Sequence, residues 1–221
     1  MCGRFSQAKD ADRYARLFGL TTDMRFRVRY NVAPSQAVLL CRVAEWGKWE
    51  LVTLTWGLVP HWAKEPSTSY STINARAETV ATKPAYRDAF RQRRCLIPAD
   101  GFYEWKPGKP RKQPHYIRRK DGEPFAFAGL WERWQRGEQR IESCTIIVTT
   151  ANDVVAPIHD RMPVILDPAA YSRWLDPQSD QQTLQALLRP SSARDLEAYP
   201  VGFEVNDPVN DGPELIARRD R

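Results

Sequence analysis

The feature that most constrains the fold is a succession of short β-rich segments separated by turn residues. The runs at residues 36–43 and 49–56 flank the turn-like stretch 45–48 and predict a β-hairpin. Helical segments interrupt this succession without the regular strand–helix–strand alternation that a parallel sheet requires. The sequence therefore predicts an α+β fold: a single domain with a mainly antiparallel, barrel-like β-sheet and flanking helices.

Local spacing and turn signals predict the other elements. Gly19 is a natural stop for a first helix, and Pro84 suits the first position of a later one. Asp121 and Gly122 predict a second hairpin, between 115–119 and 125–134. Helices are predicted at residues 9–18, 84–93, 168–175 and 180–188, and further strands at 95–97, 101–106, 144–150 and 162–166. No repeat or low-complexity linker divides the chain, so we expect one domain over residues 2–217 and a basic tail at 218–221.

Composition indicates an ordinary globular protein. Hydrophobic residues make up 42% of the 221 positions and charged residues 27%, which is typical of soluble domains. No apolar run is long enough to span a membrane, and no leader resembles a signal peptide, so we expect a cytoplasmic protein without a membrane partner. Nothing in the sequence indicates an obligate oligomer, and a monomer is expected.

The four cysteines are widely separated and show no metal-type pairing, so they are expected to be free thiols. Cys41, Cys95 and Cys144 each have apolar or β-branched neighbours, which predicts a place in the core. Cys2 alone lacks that setting. No glycine-rich phosphate loop, HExxH or paired-cysteine pattern is present, so neither a cofactor nor a metal is predicted.

Charge and aromatic content favour a polyanionic partner. The formal net charge is +6, and the chain contains eight tryptophans. Arginine and tryptophan together on a surface are typical of proteins that clamp and stack on single-stranded nucleic acid. A modest positive excess by itself does not require such a partner.

The chain begins Met1-Cys2-Gly3-Arg4, and an initiator Met before a small residue is normally removed. Removal would leave Cys2 with its amine and thiol on adjacent carbons, with ordinary pKa values of about 8 and about 8.5. The amine can condense with an aldehyde to an iminium, and the thiolate can then close a thiazolidine ring. Alternatively, the thiolate can attack an acyl group with the amine as base. The simpler alternative is a small buried side chain or a disordered end.

Three polar residues at the edges of apolar elements are candidates for chemistry. Glu104 lies between two aromatic residues, and the resulting desolvation would raise its pKa and favour proton transfer. His159 titrates in the right pH range for a general acid or base. Asn74 can position a substrate oxygen or the chain terminus. Each residue also has a simpler explanation. Glu104 could be a strand residue that points to water, His159 a loop histidine bonded to a local carbonyl, and Asn74 a turn cap.

Six motifs occur together in a fixed order and resemble the SOS response-associated peptidase family, which includes abasic-site processing proteins. They are MCGRF at residues 1–5, YNVAP at 30–34, WGLVP at 56–60, NAR at 74–76, ADGFYEW at 99–105 and HDRMP at 159–163. The resemblance covers about residues 2–217. Each motif is weak alone, but the combination is specific.

The resemblance implies a sensor that captures abasic sites in single-stranded DNA by a covalent cross-link through the N-terminal cysteine, as part of the DNA damage response. Cys2 would supply the amine and thiol, Glu104 would move protons at both groups, Asn74 would hold the terminus or sugar, and His159 would help to open the sugar ring. An abasic-site lyase activity and a peptidase activity that removes Met1 would accompany the capture. The protein would associate with the nucleoid when bound to DNA.

The resemblance also implies which residues contact DNA. Arg4, Arg76 and Arg161 would contact phosphates, and Trp62 would stack on a base or wedge against a neighbouring duplex at a single-strand/double-strand junction. Some family members carry a second bulky aromatic residue after this Trp, where this chain has Ala63. The loop at 65–72 also varies within the family.

Two other functions stay open at the level of sequence. Glutamine amidotransferases also begin Met-Cys-Gly, so an N-terminal-nucleophile amidohydrolase or peptidase acting through Cys2 is one alternative, although the other segments of those enzymes are absent. A non-catalytic single-stranded DNA-binding module that uses only its arginines and tryptophans is the other. It would retain full activity after Cys2→Ala.

Overall fold

The computed structural model describes residues 2–66 and 72–219, and most of its regular structure is β-strand. The α-helices are α1 (Ala11–Leu17), α2 (Arg87–Gln92), α3 (Tyr171–Leu175) and α4 (Gln181–Ala186), and 3-10 helices span Pro168–Ala170, Phe203–Asn206 and Pro213–Ile216. The strands are β1 (Arg4–Gln7), β2 (Arg29–Val32), β3 (Ala37–Val43), β4 (Trp49–Trp56), β5 (Asn74–Arg76), β6 (Arg94–Ala99), β7 (Gly101–Lys106), β8 (Gln113–Arg119), β9 (Phe125–Arg136), β10 (Gln139–Thr150), β11 (Arg161–Pro163), β12 (Ile165–Leu166) and β13 (Leu196–Pro200). No helix in the described ranges has the length and apolar character needed to cross a membrane.

The strands form two sheets. The smaller sheet has the order β13-β8-β7-β1-β2, and all of its pairs are antiparallel. In the larger sheet, β10 pairs with both β4 and β9, so the strands β10, β4, β3, β6 and β9 close into a ring. The parallel pairs among the described residues join β10 to β4 and to β5. The predicted α+β domain with mainly antiparallel strands is confirmed, although the ring is not a strict barrel.

Several local predictions are confirmed. Strands β3 and β4 form the expected hairpin, and Gly47 occupies its turn with φ 82°. Helix α1 begins after Asp10, whose side chain accepts a hydrogen bond from the Arg13 backbone N–H. It ends before Gly19, which has φ 68°, a left-handed conformation that costs glycine little. The second helix begins later than predicted, at Arg87, because Pro84 lies in the preceding turn.

The predicted hairpin between 115–119 and 125–134 is wrong. Strand β8 pairs with β7 and β13 in the smaller sheet, whereas β9 pairs with β6, β10 and β12 in the larger one. Asp121 and Gly122 do form a turn, with Gly122 at φ 73°, but that turn carries the chain from one sheet to the other. A turn signal predicts where the chain reverses and not which strands then pair.

The main core lies between the two sheets. Phe5 of β1 contacts Trp56 and Phe127 edge to face, with ring centroids 5.1 Å and 5.7 Å apart. A second apolar cluster joins the ring of strands to α2, α3 and α4. Cys41, Cys95 and Cys144 are free and fully buried, as predicted.

Gln7 fastens β1 to the larger sheet. Its buried amide nitrogen donates to the carbonyl oxygens of Leu39 and Pro98, each at 2.8 Å, and its amide oxygen accepts the Leu39 N–H at 3.0 Å. These bonds connect β1, which belongs to the smaller sheet, with β3 and β6 of the ring. The start of the chain is therefore held between both sheets.

We expect Gln7→Leu to lower the free energy of unfolding by about 2–4 kcal/mol, because three buried backbone groups lose their partner. Denaturant unfolding measures the change. Gln185→Leu, at an exposed position on α4, is the matched control and should change the free energy by less than about 0.5 kcal/mol. Equal effects of the two substitutions would contradict the role assigned to Gln7.

Candidate functional site

Strand β1 pairs with β7, and Cys2 lies two residues before β1. Arg4 pairs with Tyr103, and Phe5 with Phe102, in an antiparallel register. The Cys2 side chain is fully buried, and its Sγ lies 3.9 Å from the carbonyl oxygen of Arg4. Burial raises the pKa of the thiol well above its usual range, and the nearby Glu104 carboxylate raises it further. At neutral pH the buried group is therefore a thiol, and its ionisation requires a base.

Asn74 holds the backbone of Cys2. It lies at the start of β5, where it pairs with Ile146 of β10, and Tyr86 Oη donates to its carbonyl oxygen at 3.1 Å. Asn74 Nδ2 donates to the Cys2 carbonyl oxygen at 2.8 Å. Its Oδ1 is buried and has no hydrogen-bond partner among the described residues. The Asn74 nitrogen therefore fixes the backbone of Cys2, and its oxygen remains able to accept a hydrogen bond.

Glu104 is only 2% exposed, so the expected desolvation is present and its side chain does not point to water. It lies two residues after Phe102 on β7, and period-2 alternation places both on the face that meets the core between the sheets. Burial is the main cause that raises the pKa of Glu104 to about 7; the Asp160 carboxylate acts in the same direction and Lys112 in the opposite one. A carboxyl with this pKa can both accept and donate a proton near neutral pH.

His159 ends a helical turn that Asn152 caps. Asn152 Oδ1 accepts the backbone N–H groups of Val154 and Val155, each at 3.1 Å. His159 Nδ1 accepts the Arg161 N–H at 3.0 Å, which favours the neutral tautomer that carries its proton on Nε2. The Asp160 carboxylate also lies 2.9 Å from Nδ1 and would pair with a protonated ring. Burial lowers the pKa of His159 and outweighs that carboxylate, so the neutral form dominates at neutral pH.

The four predicted catalytic residues come from four separate parts of the chain: the segment just before β1, β5, β7 and the turn before β11. Cys2 is hydrogen-bonded to Asn74 and interacts electrostatically with Glu104. The charges of Asp160 and Lys112 affect the pKa of both Glu104 and His159, so these two residues lie close to the same charged groups. The arrangement combines a nucleophile, a proton acceptor, a neutral imidazole and a carboxamide in a largely buried setting.

The residues predicted to contact DNA have different surroundings. Arg76 is exposed at the end of β5. Arg161 pairs with Glu78, and its side chain is 22% exposed. Arg4 donates to Asn31 Oδ1 and to the carbonyl oxygen of Val205, each at 2.8 Å, and to that of Asn206 at 3.3 Å, so its guanidinium also ties β1 to the C-terminal segment.

Trp62 projects from the loop that follows β4 and is 54% exposed. Its indole Nε1 donates to the Pro84 carbonyl oxygen at 3.3 Å, which orients the ring but leaves much of it accessible. Residues 67–71 of the neighbouring variable loop lie outside the described residues.

Sequence reasoning missed two residues near the site. Lys112 lies close enough to lower the pKa of both Glu104 and His159. At His159 burial also lowers the pKa, whereas at Glu104 burial raises it, so there the two effects oppose each other. The lysine-rich stretch after β7 was the available signal. Asn31 donates to the carbonyl oxygens of Val205 and Asn210 at 3.2 Å and 2.9 Å, so it anchors the C-terminal segment.

The chain is similar to known proteins over most of its length. The sequence model of the SOS response associated peptidase family (SRAP) matches residues 1–208. Abasic site processing protein YoqW of Bacillus subtilis (strain 168) is 44% identical over 222 residues, covering 98% of this chain and 99% of that protein. Abasic site processing protein YedK of Escherichia coli (strain K12) is 32% identical, covering 98% of this chain and 99% of that protein.

A eukaryotic protein and a solved structure are also similar to this chain over most of its length. Abasic site processing protein HMCES of Xenopus tropicalis is 32% identical, covering 87% of this chain and 67% of that protein. A crystal structure of a protein from Bacteroides thetaiotaomicron superposes with a TM-score of 0.88 at 26% identity and covers 99% of this chain and 100% of that chain.

We expect Glu104→Gln to remove a pH dependence of stability. The pKa of this carboxyl is about 7 in the folded chain, against 4.5 for an ordinary glutamate, so the folded state holds its proton more tightly. Stability from this group is therefore present below about pH 4.5 and falls by up to about 3 kcal/mol as the pH rises to about 7. Denaturant unfolding of wild type and Glu104→Gln across this range measures the difference.

Glu214→Gln is the control for that series, since Glu214 is exposed and far from β7 in the chain. It should reproduce the wild-type profile. A wild-type stability that rises relative to Glu104→Gln between those pH values would contradict the burial account.

Proposed function

Because the chain belongs to the SOS response-associated peptidase family, we propose that it processes abasic sites in DNA. More specifically, it is a sensor and covalent trap of abasic sites in single-stranded DNA, and it acts through Cys2 once Met1 has been removed. The observation that carries the proposal is the hydrogen bond of 2.8 Å from Asn74 to the Cys2 backbone, which holds the start of the chain beside the buried Glu104. Met1 lies outside the described residues, and its removal is part of the proposal.

The capture proceeds in two bond-forming steps. The amine of Cys2 adds to the open-chain aldehyde of the abasic deoxyribose and loses one water, which gives an iminium. The Cys2 sulfur then adds to the iminium carbon and gives up its proton, and the product is a neutral thiazolidine. The whole reaction consumes one amine, one thiol and one aldehyde and releases one water.

Each neighbouring residue has a defined part in these steps. Glu104, whose pKa is about 7, donates a proton to the leaving water in the first step and accepts the thiol proton in the second. The neutral His159 donates and accepts a proton as the sugar ring opens, and its Nε2 carries the proton that is available for donation. The buried Asn74 Oδ1 accepts a hydrogen bond from the amine or the sugar.

DNA would approach across the exposed residues around this site. Arg76 is the most accessible of the three arginines predicted to contact phosphates, and Arg161 would exchange its contact with Glu78 for one with a phosphate. Arg4 would contact a phosphate only by exchanging some of its present hydrogen bonds to Asn31 and the C-terminal segment. Trp62 would stack on a base or wedge against a duplex at a junction.

The iminium stage also permits a side reaction. An iminium acidifies the adjacent carbon, so loss of a proton there expels the 3′ phosphate by β-elimination, which is a lyase reaction. The peptidase activity in the family name would correspond to removal of Met1 by the chain itself. Such a protein acts where DNA is damaged and is expected on the nucleoid.

Two alternatives have different consequences. An N-terminal-nucleophile amidohydrolase would use the same Cys2 but form an acyl-enzyme instead of a DNA adduct. A non-catalytic single-stranded DNA-binding module would not need the thiol. The buried contact between Cys2 and Asn74 favours a function in which the terminus has a fixed position.

The direct test mixes protein that lacks Met1 with a single-stranded oligonucleotide carrying one abasic site. Denaturing electrophoresis and intact mass should reveal an adduct that equals the two masses less one water. Cys2→Ser keeps the amine without the thiol, so its adduct should survive denaturation only after borohydride reduction. Cys2→Ala should behave in the same way.

The outcome separates the three functions. A stable adduct formed equally by Cys2→Ala would rule out the thiazolidine. Binding without any adduct, with or without borohydride, would favour the non-catalytic module. Hydrolysis of an amide substrate that depends on Cys2, together with no DNA adduct, would favour the amidohydrolase.

A second prediction concerns the phosphate contacts. We expect Arg76→Ala to weaken binding to undamaged single-stranded DNA and to reduce the slope of log affinity against log salt by about 0.7. Arg173→Ala, exposed on α3, is a control of equal charge that should leave the slope unchanged. Fluorescence anisotropy over a salt series measures both. Identical slopes for the two variants would remove Arg76 from the proposed interface.

A further inference from the structure

The tip of the hairpin formed by β7 and β8 is rich in positive charge. Lys106 and Gln113 are the last pair of the two strands, and residues 107–112 connect them. Residues 106–112, which we call the basic loop, are all exposed and include no acidic residue. Its cations are Lys106, Lys109, Arg111 and Lys112, and among the described residues none of them forms an ion pair. Unpaired cations in one exposed loop are available to an anionic partner.

A second segment adds a cation to the basic loop. The guanidinium of Arg111 lies over the half-buried ring of Phe203, with its central carbon 3.4 Å from the ring centroid. The guanidinium of Arg219 lies over the same ring at 5.1 Å. Stacking orients a guanidinium and leaves its N–H groups free to bind an anion. Arg219 is exposed and has no ion pair within the part of the chain that the structure describes, so it belongs to the same positively charged surface.

Hydrogen bonds hold the segments of this surface beside one another. The Val201 N–H donates to the Pro114 carbonyl oxygen at 3.1 Å, and Gln113 Nε2 donates to the Val201 carbonyl oxygen at 2.9 Å. The Arg219 N–H donates to the Pro200 carbonyl oxygen at 2.9 Å. A surface that is formed before binding loses less entropy when a ligand arrives.

Few carboxylates oppose these cations. On β13, Glu197 is already paired with two arginines outside the surface. Glu204 is exposed beside Phe203 and has no ion pair among the described residues. Asp160 contacts the ring of His159, whose neutral form dominates. If Glu204 and Asp160 are both counted, five cations against two carboxylates still leave a net charge of +3.

The basic loop lies beside the candidate functional site. Lys106 follows Glu104 by two residues on β7, so period-2 alternation places both on one face, about 7 Å apart along the strand. At the other end of the loop, Lys112 lies close enough to lower the pKa of both Glu104 and His159. An anion bound to the loop would therefore lie next to the residues that surround Cys2.

The loop and the residues already predicted to contact DNA belong to different sheets. Trp62 follows β4, and Arg76 ends β5, and both strands are part of the larger sheet. The basic loop joins two strands of the smaller sheet. Cys2 packs in the core between the sheets, so a strand that reaches it can contact cations on both.

We propose that the basic loop and Arg219 bind phosphates of the single-stranded DNA that leaves the reacting nucleotide on the side away from Arg76 and Trp62. This inference rests on the proposed function, because it takes the DNA strand through Cys2. Phosphate contacts fix the position of a strand without reading its bases, so no sequence preference is expected from this surface.

The test measures the affinity for an undamaged single strand of about 12 nucleotides by fluorescence anisotropy over a salt series. The neutral variant Lys109→Gln/Arg111→Gln/Arg219→Gln should bind at least about tenfold more weakly at about 0.1 M salt. The slope of log affinity against log salt should fall by about 2, since each phosphate contact contributes about 0.7.

Two further variants serve as controls. The first removes equal charge from exposed positions elsewhere and should change the slope by less than about 0.5: Lys48→Gln/Arg136→Gln/Arg173→Gln. The second keeps the charge of the surface and should retain most of the slope: Lys109→Arg/Arg111→Lys/Arg219→Lys.

Three results of the salt series would overturn the proposal. One is an equal slope for the neutral variant and the first control. Another is a charge-keeping variant that loses as much affinity as the neutral variant, since packing would then be the cause. The third is unchanged affinity for DNA together with lost binding of poly-glutamate, which would assign the surface to an acidic protein partner. Undamaged DNA cannot form the thiazolidine, so these results do not depend on the cross-link, whose failure appears as a missing adduct in the wild type.

The side of the strand is tested by the rate of adduct formation. Two oligonucleotides of about 12 nucleotides carry the abasic site near the 5′ end or near the 3′ end. With subsaturating DNA, the neutral variant should react at least about fivefold more slowly than the wild type with one of them and nearly as fast with the other. Equal losses with both would indicate general attraction to DNA and would contradict a contact on one side.

Discussion

The fold and the site both depend on the position of β1. This strand belongs to the smaller sheet, but Gln7 bonds it to β3 and β6, and Phe5 packs against Trp56 and Phe127 of the larger one. Arg4 fastens the other face of the strand to Asn31 and the C-terminal segment. This strand of four residues is therefore held from three directions, and Cys2, two residues before it, is held in turn by Asn74. A terminus held in this way suits chemistry that needs the first side chain and the backbone nitrogen in one place.

Burial disfavours the charged form of every titratable group in the site, so it shifts the pKa of acids upward and that of the histidine downward. It raises the pKa of the Cys2 thiol and of Glu104, and it lowers the pKa of His159. Near neutral pH this leaves a protonated thiol, a carboxyl close to its midpoint and a neutral imidazole. Neither the thiol nor the imidazole carries a charge in the buried setting, and the carboxyl is the group best placed to exchange a proton. The proposed chemistry uses that difference.

The sequence predicted the fold well where the signal was local. Gly19, the hairpin between β3 and β4, and the buried strands that contain Cys95 and Cys144 follow from turn chemistry and apolar runs. The pairing of β8 with β9 failed because sheet partners depend on contacts between distant segments, which no turn signal specifies. The same limit applies to β7: Tyr103 and Trp105 flank Glu104 symmetrically, so the pattern alone does not say which face of the strand meets the core between the sheets.

The candidate site residues were predicted from motifs and residue chemistry, but the contacts that join them were not. The hydrogen bond from Asn74 to the Cys2 backbone joins positions 72 residues apart. The parallel pairing of β5 with β10 places Asn74, and the pairing of β1 with β7 places the start of the chain. The influence of Lys112 on Glu104 and His159 likewise comes from the spatial arrangement of three separate segments.

The most direct test of the central proposal is to locate the adduct by peptide mapping. DNA cross-linked to the protein is digested to the deoxyribose remnant, the protein is cleaved with a protease, and tandem mass spectrometry assigns the modified residue. The proposal predicts one modified peptide that begins at Cys2 and carries the remnant on that residue. A remnant on Lys112 or another lysine, with an unmodified Cys2, would contradict it.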